Sequence, residues 1–148
     1  RVMNSADLSK ACELFKDANK FTSKNNIAKW TKRDLMKFPK YHIVYERNGK
    51  IIGAISGTLH KKNLGVIEDI SVDEKFRKHG IGDKLIKTLI EKFMEDKVPT
   101  IRLWVHWTDA AAIPFYYAHG FRLKMFRHTH GIRDVPDKED VLFLEKKL

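Results

Sequence analysis

The chain has 148 residues, 43% hydrophobic and 11% aromatic, the size and apolar content of one compact domain over residues 1–148 that needs no disulfide or metal staple. Its one cysteine, Cys12, has no partner for an internal disulfide, no apolar run approaches the roughly 18 residues of a membrane span, and the first residues carry no signal-peptide pattern, so a cytoplasmic protein without a membrane partner is expected. A formal net charge of +10 points to a partner richer in negative charge, and nucleic acid, an anionic cofactor and an acidic substrate all qualify.

Arg1 to Met3 reads as a short strand, followed by a helix entered through Asn4 or Ser5 with Leu8, Ala11, Cys12, Phe15 and Ala18 along one face. The polar cluster Thr22 to Asn26 separates it from a less regular helical segment around Ile27 to Phe38, stopped by Pro39. His42 to Arg47, the turn pair Asn48-Gly49 and Lys50 to Leu59 form an antiparallel hairpin signal, and Gly65 to Val72 adds a third strand. From Ile81, apolar Leu85, Ile86, Leu89, Ile90, Phe93 and Met94 recur at helical spacing opposite lysines and glutamate until Val98-Pro99. A buried strand, Ile101 to Val105, leads to a short helix from about Asp109 to His119 closed by Gly120, and strands follow near Phe121 to Arg127 and Val141 to Lys146. This alternation implies an α/β (α+β) domain with a mixed sheet.

Arg77-Lys-His-Gly-Ile-Gly82 lies between a strand and the N-terminus of the strongest helix, where unpaired N–H groups and the helix dipole favour an anion. Gly80 and Gly82 let successive N–H groups converge on phosphate oxygens, and Arg77 and Lys78 add positive charge. From spacing alone, a plain glycine-containing turn with exposed basic residues accounts for the same pattern. The segment has neither the Gly-Lys-Ser/Thr ending of a Walker loop nor the third glycine of a dinucleotide fingerprint.

Arg77-x-x-Gly80-x-Gly82, preceded by Ile70-Ser-Val72, resembles the acetyl-coenzyme A signature of the GCN5-related N-acetyltransferases. A second match lies in order downstream, where Ala112, Phe115, Tyr116, Gly120 and Phe121 fall in the same family's helix-and-turn pattern. The resemblance is sharp over about Ile67 to Phe121 and departs at Asp109, where the family often has asparagine: an aspartate can cap the helix but lacks an amide donor.

The resemblance implies a mostly antiparallel sheet with helices on both faces. It is splayed between two central parallel strands, one carrying Ile70 and the other Trp104 and Val105, to admit acetyl-CoA as cosubstrate. It further implies that the backbone of Ile70, Ser71 and Val72 pairs with pantetheine and that the N–H groups of Lys78, His79, Gly80, Ile81, Gly82 and Asp83 hold the pyrophosphate, with Arg77 supporting the loop or touching phosphate. Tyr116 would protonate the departing thiolate, with core packing beside Phe115 as its other reading. Simple alternation puts Glu68 on one face with Val66, Ile70 and Val72, and Asp69 on the other with Ile67 and Ser71, so one acid must be partly buried. Glu68 is the preferred base, its other reading being a partner for the substrate's ammonium or for a lysine.

His106-Trp107 and His128-Thr-His130 lack the carboxylate or cysteine spacing of a metal site, so no metal is expected. The expected activity is transfer of an acetyl group to a primary amine of a peptide, a protein or a small molecule, with loops around Phe21 to Tyr41 and His128 to Glu139 shaping the acceptor site. Ile67 to Val72 also resembles amino-sugar phosphate acetyltransferases, over too short a stretch to name a substrate. The alternatives are a basic nucleic-acid-binding module, for which only the charge speaks, and a catalytically silent acetyl-CoA sensor, toward which Asp109 leans. A homodimer is left open.

Overall fold

The computed structural model describes residues 1–18, 24–128 and 140–148. In chain order the main elements are α1 (Leu8–Ala18), α2 (Lys24–Lys37), β1 (His42–Arg47), β2 (Lys50–His60), β3 (Leu64–Val72), α3 (Ile81–Glu95), β4 (Thr100–His106), α4 (Ala112–Ala118), β5 (Arg122–His128) and β6 (Asp140–Lys147). The strands form one sheet in the order β1-β2-β3-β4-β6-β5, with β3 and β4 its parallel neighbours and the other pairs antiparallel. The α/β class and the splayed mixed sheet expected from the sequence are both present.

Local chemistry accounts for the elements. Asn48 and Gly49 sit at φ of 51° and 72°, the left-handed pair that a two-residue hairpin demands, and they join β1 to β2. Asn4 accepts the N–H of Ala6 while the Asp7 carboxylate accepts the N–H of Asn4, a reciprocal cap that opens a 3₁₀ turn (Ser5–Asp7) leading into α1. The strand expected at Arg1 to Met3 is reduced to a bridge between Val2 and Ile43. Helix α2 starts at Lys24, so Lys24, Asn25 and Asn26 form its first turn rather than a separating loop, while Thr22 and Ser23 lie outside the described residues.

The sheet has a core on each face. On one, α3 buries Leu85, Ile86, Leu89 and Phe93 against Ile43, Ile55, Ile67 and Ile101, and Tyr116 of α4 joins them. On the other, Ala11, Leu14 and Phe15 of α1 with Ile27 and Leu35 of α2 cover Val44 and Ala54. Phe93 is fully buried, and its ring stacks on Tyr41 with centroids 4.6 Å apart. It reaches the sheet because two strands present glycine beneath it. A Cβ at Gly57 would lie 3.1 Å from the Phe93 ring, and one at Gly65 would lie 2.9 Å away. The second is closer than Cβ contacts run, and it falls where β3 and β4 are still paired, at Gly65 opposite Ile101.

Gly65→Ala therefore forces Phe93 out of its seat. The expected cost is about 1–3 kcal/mol, read as a lowered midpoint in thermal or urea unfolding. An unchanged midpoint would mean that α3 can lift from the sheet without penalty.

Candidate active site

Pairing between β3 and β4 is confined to Leu64–Thr100, Gly65–Ile101 and Val66–Arg102. Beyond it, β3 runs on to Val72 held by β2 alone, while β4 stays paired with β6 as far as His106 opposite Val141. The parting has a local origin: Asp69 lies opposite Ser56 and Ile67 opposite Gly57, so Glu68 is one residue too many. Such a bulge bends its strand and sharpens the twist. The strands diverge into a cleft of about 780 Å³ whose walls include Glu68, Asp69, Ile70, Val72, Trp104, Val105 and Tyr116.

The bulge also re-aims the side chains. Residues directly opposed across two strands share a face. Gly57 faces α3, so Ile67 does too, whereas Asp69 (opposite Ser56) and Ser71 (opposite Ala54) face α1 and α2. Ile70 and Val72 return to the α3 side, where both pack against its core. This corrects the uninterrupted alternation read from the sequence, which put Asp69 and Ile67 together. Thr58, on the α1 side, donates to Glu68 Oε1 at 2.7 Å. Both acids thus belong to the α1 side of the cleft, Glu68 exposed and Asp69 half-buried. Asp17 and Ala18 at the end of α1 complete that wall, a contribution that no motif signalled.

On the α3 side, the loop after β3 is shaped by its own side chains. Arg77 Nε donates to Val72 O at 3.0 Å, and His79 Nδ1 lies 2.7 Å from Arg77 O. Lys78 and Gly80 adopt φ of 62° and 75°, so the backbone turns twice through the left-handed region. Gly80 then starts α3 without any side-chain cap. The first helical bond runs from Lys84 N–H to Gly80 O, and the N–H groups of Ile81, Gly82 and Asp83 before it donate to no carbonyl of the described residues. Convergent amides at a helix N-terminus are a ready anion site. Arg77 and Gly82 line the cleft itself; Ser71 and Ile81 are buried, and Lys78, His79 and Gly80 are exposed at its mouth.

Helix α4 supplies the far wall. Asp109 Oδ1 accepts the N–H of Ala112 at 3.0 Å in the turn that leads into α4, and the helix itself begins at Ala112, three residues later than the sequence suggested. Tyr116 is 7% exposed, packs edge-on against Phe115 and Phe121, and also lines the cleft. Burial, reinforced by Asp69 and Asp109, pushes its phenol well above the usual value and keeps it protonated. Trp104 lines the cleft and Trp107 is exposed. Among the described residues no group of three His, Cys, Asp or Glu side chains is placed to hold a metal; Thr129, His130 and the side chain of His128 lie outside them, as does most of the predicted acceptor loop. No described helix is long and apolar enough to cross a membrane.

Comparison with known proteins agrees with this geometry. The chain is 32% identical over 111 residues to an uncharacterized N-acetyltransferase of Methanocaldococcus jannaschii, a match covering 70% of this chain and 49% of that protein. It is 36% identical over 99 residues to N-alpha-acetyltransferase 30 of Dictyostelium discoideum, covering 64% of this chain and 54% of that one. The chain thus spans about half the length of these curated relatives. Among solved structures it superposes on Arabidopsis thaliana Naa50, in complex with the bisubstrate analogue CoA-Ac-MVNAL, with a TM-score of 0.83 at 19% identity over 100% of this chain and 97% of that one. The acetyltransferase (GNAT) family matches residues 8–121, and with the splayed sheet and the amide-lined loop in place, this chain belongs to that family.

Proposed function

We propose that the protein transfers the acetyl group of acetyl-CoA to the N-terminal α-amine of a polypeptide. The observation that carries this reading is the cleft between β3 and β4, which has unpaired helix N–H groups at its α3 mouth and carboxylates at its α1 mouth. An anionic cofactor and an amine have opposite needs, and the two mouths meet them separately. The acceptor class draws support from the relatives, one named as an N-alpha-acetyltransferase and one bound to a peptide conjugate of CoA.

In this reading the β4-facing edge of β3 from Ile70 to Val72, unpaired among the described residues, takes the pantetheine amides, and the loop amides take the pyrophosphate. The acceptor enters past Asp17, Glu68 and Asp69. Its nitrogen must be neutral to attack, so Glu68, directly or through water, accepts the proton. The nitrogen adds to the thioester carbonyl carbon and the carbon–sulfur bond breaks; Tyr116 gives its proton to the leaving thiolate, and the second proton shed by the nitrogen as the amide forms returns through water to the Tyr116 oxygen. Burial holds the phenol protonated at rest, so it meets the departing sulfur as a hydrogen-bond donor and not as a base.

Calorimetry with acetyl-CoA, followed by thiol release across peptides and small amines, tests the assignment. Saturable binding with turnover on free peptide N-termini is expected. Turnover only on small amines would move the acceptor class, and binding with no turnover would leave a sensor.

Two variants probe the proton path. Tyr116→Phe is expected to lower kcat by about 100-fold with the KM for acetyl-CoA within about twofold of wild type; unchanged kcat would return Tyr116 to the core alone. Glu68→Gln is expected to lower kcat by about 100-fold and flatten the acid limb of its pH profile. A retained acid limb would pass the role to Asp69 or to solvent.

A further inference from the structure

Asp83 sits in the first turn of α3, and His119 closes α4. Their side chains meet across the two helices, with His119 Nε2 3.0 Å from Asp83 Oδ1. On the other side of the ring, Nδ1 lies 2.8 Å from the carbonyl oxygen of Phe115. Both partners are acceptors, so the imidazole satisfies them together only with a proton on each nitrogen. A cation is also what the carbonyl end of a helix favours. The His119 side chain is 8% exposed and its ring lies 4.7 Å from that of Phe115. Phe115 in turn abuts Gly82, where a Cβ would come within 3.4 Å of its ring. Helix α4 is therefore fastened to the first turn of α3 by the His119–Asp83 contact and an aromatic contact side by side.

The location gives this pair a consequence for binding. Asp83 contributes one of the free N–H groups of the anion site, yet it carries a carboxylate within the same turn. A bare carboxylate there repels an incoming pyrophosphate. The family resemblance implied a role for the backbone of Asp83 only, and the sequence pattern marked His119 only as the end of a helix.

We infer that His119 is a positioning residue for the cofactor: it draws the Asp83 carboxylate away from the anion site, offsets its charge and holds α4 against the phosphate loop. The inference rests on the reading of that loop as the pyrophosphate site of acetyl-CoA. Tyr116 lies on the same short helix, so the latch also registers the proton donor with the bound cofactor.

The test is a double-mutant cycle read by calorimetry with two ligands, acetyl-CoA and acetyl-pantetheine, the second lacking the pyrophosphate. His119→Leu is expected to weaken acetyl-CoA binding by about tenfold and acetyl-pantetheine binding by less than about twofold. Adding Asp83→Asn to His119→Leu is expected to bring acetyl-CoA affinity back to within about threefold of wild type, because no carboxylate is then left beside the phosphates. Wild-type affinity in His119→Leu, an equal loss for both ligands, or no rescue by Asp83→Asn overturns the inference. Should His119→Leu fail to fold by circular dichroism, His119→Gln keeps a donor toward Asp83 without the charge; a loss confined to acetyl-CoA supports the inference and none overturns it. A wild-type protein that binds acetyl-CoA no better than acetyl-pantetheine overturns the pyrophosphate reading itself, and this inference with it.

Discussion

Parallel pairing of β3 with β4 stops at Val66 opposite Arg102, although both strands run on, to Val72 and His106. The cleft exists because neither strand is lost when they part: β2 retains β3 through Gly53 opposite Val72, and β6 retains β4 along its whole length. Each strand keeps one full ladder while opening one edge to the cleft. An open edge in the middle of a sheet is costly unless something pairs with it, since buried backbone polar groups need partners. An extended amide-bearing chain is the kind of molecule that meets that need.

The bulge at Glu68 couples this opening to the chemistry of the walls. One inserted residue bends β3 away from β4, and it also moves Asp69 to the face that α1 covers while Ile67 stays under α3. Without it, Asp69 would point toward the apolar packing of α3, where an unpaired carboxylate is expensive. Acids gather at the α1 mouth, free amides at the α3 mouth, and the buried phenol of Tyr116 lies between them with its proton secured. A chain of net charge +10 thus places several of its carboxylates at the entrance to its cleft.

Beneath the cleft, the Phe93 seat gives the opening a fixed pivot. The ring presses on Gly57 and Gly65 next to the last paired residues of β3 and β4, so α3 meets the sheet closely where the strands are about to separate. From that contact α3 runs back to its N-terminus at Gly80, beside the divergent end of β3, which places the free N–H groups at the mouth. A rigid base and an uncapped helix start are both needed for an anion site that does not have to be rebuilt on binding.

Much of this was legible in the chain. Asn48-Gly49 between two apolar runs dictates the hairpin, and the spacing from Ile81 to Met94 dictates α3, because turn geometry and helical periodicity are local properties. Gly80 and Gly82 at the start of that helix pointed to the loop whose N–H groups are unpaired among the described residues, and the family pattern picked out Tyr116 and the departure at Asp109, which accepts from Ala112 in the turn leading into α4. What the sequence could not reveal depends on partners distant along the chain. The bulge is a mismatch between β2 and β3 that no residue type announces at Glu68, and it overturned an alternation that was sound for a regular strand. Likewise, Gly57 and Gly65 become a seat only when Phe93 arrives, and His119 becomes a latch only when α4 folds back on Asp83. Local periodicity and turn chemistry determined the elements; pairing register and helix docking, which are set by the whole sheet at once, decided which side chains face the cleft.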